Sequence, residues 1–162
     1  MPANSLQDLY VDKLKDLLDA ENQILEALPT MAEATEHAEL RKAFETHRKQ
    51  TEEQVQKLEQ LLSQHGGAER KPCLAMRGIL QEGQQHMGEV TDPDARDAML
   101  IGSAQAVEHY EMAGYGTART WARELGREDD AKVLQSILEQ EEQTDKLLTG
   151  LAESRINREA AS

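Results

Sequence analysis

A single cysteine, Cys73, excludes any disulfide within the chain and points to a reducing, cytoplasmic setting. It follows Pro72 at an expected helix start and reads as structural. Only four prolines and ten glycines interrupt 162 residues, and β-branched residues are few, which leaves little material for strands and many turns. No apolar run approaches the roughly 20 residues of a membrane-spanning helix. The opening MPANSLQDLY lacks the basic start and apolar core of a signal peptide. The scarcity of positive charge is as informative. Eighteen Lys and Arg stand against 31 Asp and Glu, and the net charge of −13 argues against nucleic acid and anionic membrane surfaces as partners.

What is abundant is Ala, Leu, Glu, Gln and Lys, the composition of long helices. The length suits one domain, residues 1–162, with a substantial core. The breakers then mark out the helices. Asn4 or Ser5 caps a first helix over about 5–36, with a kink or early end expected at Pro29. A second helix over about 38–64 stops at His65-Gly66-Gly67. A shorter one lies within 71–90, weakened by Gly78 and Gly83. TDPDARDA supplies a cap, a first-turn proline and early acids for a helix over about 93–125, closed by Gly126. The last runs over about 128–155, and the terminal INREAAS is expected to fray.

Each long helix carries a seam of residues three and four apart. These are Tyr10, Leu14, Leu17, Glu21, Ile24, Leu28; Leu40, Phe44, His47, Thr51, Gln54, Leu58; Ile101, Ala104, Glu108, Glu111, Tyr115, Ala118; and Leu134, Leu138, Glu141, Asp145, Leu148. Every seam is apolar at its ends and polar in its middle, whereas a purely structural bundle would be apolar throughout. Folding the first two helices about residue 37 sets Glu21 beside Thr51 and Gln54. Folding the last two about residue 127 sets Glu111 between Glu141 and Asp145. The connecting helix, about 25 Å long at 1.5 Å per residue, spans most of a bundle. It makes the second and third long helices parallel, so all four polar patches share one layer. Glu21 to Gln54 and Glu108 to Glu141 both span 33 residues, suggesting two copies of one hairpin.

That layer would hold Glu21, Glu108, Glu111, Glu141 and Asp145, with no Lys or Arg on the central seams. Five ionised carboxylates in a dry core require shared protons, water or cations, because each unpaired buried charge costs several kcal/mol. Two divalent ions cancel most of the charge and suit oxygen ligands. Several alternatives stay open. Rotating the third long helix by one position would turn Met112 inward and Glu111 outward. Asp145 is a ligand or a helper, Gln54 a ligand or a hydrogen-bonding neighbour, and His47 a core histidine, a neighbour or a ligand. Tyr115 is core or a redox neighbour.

Four segments carry a resemblance: DLYVDKLKDLLDAENQILEALPTMAEAT, AFETHRKQTEEQVQKLEQ, AVEHYEMAGYGTARTWARELG and LEQEEQTDKLLTGLAES. In these the chain is similar to the YciE/YciF family of bacterial stress-associated proteins, within the ferritin-like di-metal superfamily. The resemblance implies an all-α, ferritin-like up-down four-helix bundle with one long crossover carrying an extra short helix. It implies two divalent metal ions, iron or manganese, reaction with O2 or peroxide in oxidative-stress protection, and a homodimer. In that scheme Glu21 and Glu108 are terminal ligands and Glu141 bridges, with Glu111 and Asp145 completing the shell. The sequence departs from the superfamily's Glu-x-x-His pattern, reading Thr51-x-x-Gln54 and Glu141-x-x-Thr144 instead. A non-enzymatic helical stress protein with a structural ion or protonated acids, and iron storage in a cage, are the competing readings.

Overall fold

The computed structural model describes residues 4–67, 69 and 71–162. The chain forms α1 (Leu6–Ala34), α2 (Ala38–Ser63), α3 (Leu74–Glu89), α4 (Pro93–Glu124), α5 (Glu128–Leu151), a π-helical turn at Ala152–Ile156, and α6 (Asn157–Ala160). No strand occurs among the described residues. The start of α1 follows from Ser5, whose Oγ accepts the Asp8 amide at 3.1 Å. Asp92 does the same for α4 through Ala95, with Pro93 at the first position, where a missing N–H costs nothing. Gly126, at φ 72°, provides the left-handed residue that ends α4 and turns the chain into α5. Pro29 does not end α1, which continues five residues beyond it.

The helices α1 and α2 pack as one antiparallel hairpin and α4 and α5 as the other. Across the bundle α1 meets α4 and α2 meets α5. Glu21 meets Tyr115 and His37 meets Asp97, so α1 and α4 run antiparallel, and α2 and α4 therefore run parallel. This is the ferritin-like arrangement, with α3 as the extra helix of the long crossover, laid against α1 and α4.

The core is two apolar clusters. One, at the α1–α2 turn, contains Ile24, Leu28, Leu40, Phe44, Leu100, Ile101 and Leu148. The other contains Tyr10, Leu14, Leu17, Leu58, Leu62, Tyr115, Leu134 and Ile137. Gly114 sits between them, and a Cβ there would come within 2.7 Å of Leu17 Cδ2. Its bare Cα thus lets α1 and α4 approach closely beside the polar layer. The C-terminus differs from expectation. Rather than fraying, the π-helical turn brings Ile156 into the first cluster, where it is 1% exposed.

The crossover is tied down by polar groups. Asp19 Oδ2, on α1, accepts the Cys73 amide at 2.8 Å and Gln23 Nε2 at 2.6 Å, and Gln23 also donates to the Cys73 carbonyl at 3.1 Å. Cys73 Sγ lies 3.1 Å from Tyr110 Oη, which donates to Asp16 at 2.8 Å. The cysteine is therefore structural, an N-cap whose sulfur accepts the Met76 amide. Replacing Asp19 with Ala should leave the buried Cys73 amide unpartnered and cost about 2 kcal/mol. Amide exchange in α3 should accelerate more than in α5; equal protection in both helices would contradict this role.

Candidate metal centre

Between the two apolar clusters lies a layer contributed by all four long helices. Glu21, His47, Thr51, Gln54, Glu108, Glu111 and Glu141 are each at most 4% exposed. The seams converge because their polar positions sit at matching heights in two hairpins joined by the crossover that carries α3. Glu111 faces inward and Met112 is only half buried, so α4 is not rotated in the alternative sense. The neighbours Glu139 and Glu142 are exposed.

His47, Glu108, Glu111 and Glu141 each offer one ligand atom, and these atoms all lie within 4.8 Å of one another. His47 Nε2 is 3.2 Å from Glu108 Oε1, and its Nδ1 is 3.9 Å from Glu141 Oε2. Glu21 stands beside this group, in hydrogen-bonding reach of Glu111, and accepts the Tyr115 hydroxyl proton on Oε1. Gln54 donates from Nε2 to Glu141 Oε1. Thr51 is spent locally, its hydroxyl donating to the His47 carbonyl at 2.9 Å.

Asp145 stands apart from this group. It lies on the half-buried flank of α5, accepting Gln105 Nε2 at 3.1 Å and facing His109 Nε2 at 3.3 Å. It does not reach the carboxylate cluster. After Glu141 the inward position is Thr144, three residues on, rather than Asp145, four residues on. Both spacings fit a helical seam, and the packing of α5 against α2 and α4 chooses between them. The hydroxyl of Thr144 donates to the Gln140 carbonyl at 3.1 Å and adds nothing to the cluster. In the opposite direction, His47 belongs inside the cluster. Seven residues from Gln54, about 10.5 Å along the axis, it sits level with Glu108, itself one turn from Glu111. The presence of His47 on the same seam as Thr51 and Gln54 is the signal in the sequence.

The electrostatics are those of uncompensated acid. Among the described residues no Lys or Arg pairs with these four carboxyls. Burial, and then the charge of Glu141, push Glu21 up to about 8 and Glu108 up to about 11. Burial and the neighbouring Glu21 hold Glu111 well above the carboxylate range. Burial depresses His47, against the pull of Glu141. Burial, and then Glu21, raise Tyr115. Glu21 Oε2, both ring nitrogens of His47, Gln54 Oε1, Glu108 Oε2, both oxygens of Glu111 and Glu141 Oε2 lack hydrogen-bond partners. Buried polar atoms are rarely left so, and here they converge. This donor set, mostly hard oxygen with one imidazole, fits iron, manganese or zinc-type divalent ions.

A crossed-over helical bundle with an acidic, imidazole-containing layer at its waist defines the class: a ferritin-like protein. Residues 5–161 match the family described as a domain of unknown function, DUF892. The chain belongs to that family. It is 36% identical over 162 residues to Protein YciF of Escherichia coli K12, spanning 99% of this chain and 98% of that protein. The crystal structure of the E. coli stress protein YciF matches with a TM-score of 0.91, covering 96% of this chain and 99% of that one. YcfI from Rhodopseudomonas palustris, 35% identical, matches with a TM-score of 0.88, covering 90% and 94%. A Xanthomonas campestris protein at 24% identity shares the fold, with a TM-score of 0.74 over 93% and 92%.

The raised carboxyls have a measurable consequence. A group whose folded pKa lies above its unfolded value stabilises the fold below that unfolded value, near 4.5, and loses the contribution as pH climbs through the folded pKa. In chelator, stability should therefore fall between pH 5 and pH 8 by on the order of 1 kcal/mol per pH unit for each titrating group, and the melting temperature with it. His47, being depressed, acts in the opposite sense, but it is one group against Glu21, Glu108 and Glu111. Glu108→Gln, which imitates the protonated acid, should gain on wild type steadily as pH rises. A constant difference between the two proteins across this range would contradict the assignment.

Proposed function

We propose that the chain is a two-metal carboxylate protein that consumes dioxygen or peroxide in oxidative-stress protection, with iron or manganese as its metal. The observation that carries this reading is the convergence of unpartnered oxygens and one imidazole in a buried layer with no balancing Lys or Arg among the described residues. His47, Glu108, Glu111 and Glu141 would hold the metal together with the neighbouring Glu21. With iron bound, the site supplies two electrons, and the reaction would be 2 Fe²⁺ + O2 + 2 H⁺ → 2 Fe³⁺ + H2O2, with peroxide as the alternative oxidant.

The chain's own part is to hold protons and geometry. Tyr115 donates to Glu21 and Gln54 donates to Glu141, so each carboxyl is oriented by a neutral donor on an adjacent helix. Glu111 and Glu21 are close enough to share a proton in the absence of metal and to release it on loading. Ordinary redox ligands would include more imidazole; a site this rich in oxygen should favour the harder ions and higher oxidation states. The name of the E. coli relative, a stress protein, agrees with a protective role.

Glu141→Ala should lose most bound metal and nearly all ferrous oxidation. At a hundredfold metal excess over the dissociation constant, wild type should gain about 2.7 kcal/mol of stability, and Glu141→Ala little. Without metal, Glu141→Leu should melt at or above the wild-type temperature, because a buried charge has been replaced by apolar packing. The exposed Glu142→Ala serves as control. Elemental analysis and melts with chelator, Fe(II) and Mn(II) decide the matter. Equal metal content in Glu141→Ala and Glu142→Ala would sink the two-metal reading in favour of a non-enzymatic bundle.

We also propose a homodimer formed through α3. Of the apolar residues Leu74, Met76, Ile79, Leu80 and Met87, only Met76 is fully buried within the chain, and Leu74 is 71% exposed. Light scattering should give two chains per particle, and Leu74→Glu should shift it toward one. A wild-type monomer, or a shell of many subunits as in iron storage, would refute this.

A further inference from the structure

Two cavities lie end to end on the α3 side of the bundle. The outer one is a groove of about 550 Å³ between α1, α3 and α4. The inner one, about 20 Å³, reaches His47 and Glu108. Ala27, Met31, Leu80 and Val107 line both, so a single layer of side chains from three helices separates the surface groove from the cluster. The inner space is the size that holds one water-sized molecule, for which about 10–15 Å³ suffices. Its remaining walls include Ile24, Leu28, Phe44 and Leu148.

We propose that this pair of cavities is the entry route and final waiting site for dioxygen, and that it disfavours hydrogen peroxide. The inference rests on the two-metal reading above and names the oxidant and its path. The outer groove carries polar side chains such as Gln23, Thr30 and Ser103, but the neck and most of the inner wall are aliphatic and aromatic carbon, which offers a hydroxyl no partner, and small apolar cavities stay dry while accepting apolar gases. Thr144 is the one hydroxyl lining the inner cavity, and its proton is already donated to the Gln140 carbonyl. Dioxygen needs no hydrogen bond, whereas peroxide has two hydroxyls to satisfy. The polar atoms at the inner end belong to His47 and Glu108, which the metal would engage. The route also gives α3 a role beyond that of a connector. Its Leu80 supplies part of the neck, so the crossover helix forms one wall of the path.

Xenon tests the cavity independently of any metal, as an apolar probe of similar size. Wild-type full-length protein, stripped of metal, should bind one xenon atom beside Phe44 and Val107 in crystals pressurised with the gas. Ala27→Leu should fill the neck and abolish that peak; Leu80→Phe, from the opposite wall, is the second variant should the first fail to fold. Fe(II) uptake should match wild type in both, while oxidation of the loaded protein by dioxygen slows at least tenfold. Wild-type protein should also react with dioxygen faster than with equimolar peroxide. Failure of the metal reading would show as wild type that takes up no Fe(II). Failure of this route alone would show as normal Fe(II) uptake with no xenon in the wild-type cavity, or with undiminished dioxygen reactivity in the filled variants. Peroxide reacting as fast as dioxygen, and slowed equally by filling the neck, would overturn the selectivity.

Discussion

Three buried carboxyls within reach of one imidazole, a fourth beside them on Glu21, and among the described residues no lysine or arginine paired with any of them, set the terms for everything else in this molecule. In a low-dielectric interior such a group must find protons or cations, because each ion left unpaired costs several kcal/mol even after relaxation. The fold carries that cost through the clusters on either side. Full burial of a Leu, Ile or Phe contributes about 1.5–3 kcal/mol, and more than a dozen large apolar side chains flank the layer. The acidic waist is thus sustained by two apolar ends.

The ends also hold the waist in register. Gly114 permits the close contact with Leu17 that brings Tyr115 to Glu21, and Gln54 reaches across from α2 to Glu141 on α5. These two neutral donors orient acids contributed by opposite hairpins. Asp19, Cys73 and Tyr110 then fix the crossover so that α3 covers the α1–α4 face. A bundle with apolar seams throughout would need none of these polar ties, since apolar packing tolerates small shifts that a hydrogen bond does not.

Membership of the DUF892 family and the likeness to YciF agree with the geometry without dictating it. The superfamily's Glu-x-x-His positions read Thr51-x-x-Gln54 and Glu141-x-x-Thr144 here. The cluster instead draws its imidazole from His47, one turn before Thr51 on the same seam. An amide where an imidazole is usual changes a metal donor into a hydrogen-bond donor, and Gln54 is seen in that role toward Glu141.

The five long and short helices, the caps that open α1 and α4, the crossover and the polar middles of the seams were legible in the residue order, because helix caps, breakers and 3.6-residue periodicity are local. The inward placement of Glu21, Glu108 and Glu141 followed from the same periodicity, while that of Glu111 against Met112 was left open by it. What periodicity leaves open is the choice between the third and fourth residue after an inward position. Thr144 and Asp145 are about 100° apart on one helix, and only contact with α2 and α4 decided that Thr144 turns inward. Likewise, the height of His47 against Glu108 depends on how two hairpins slide past one another, a quantity set by Gly114 and the crossover rather than by α2 itself. Ile156 enters the core through a π-helical turn with no marker in its own sequence. Local chemistry determined which residues are acidic and which way most of them face. Packing between helices far apart in the chain decided which of them meet.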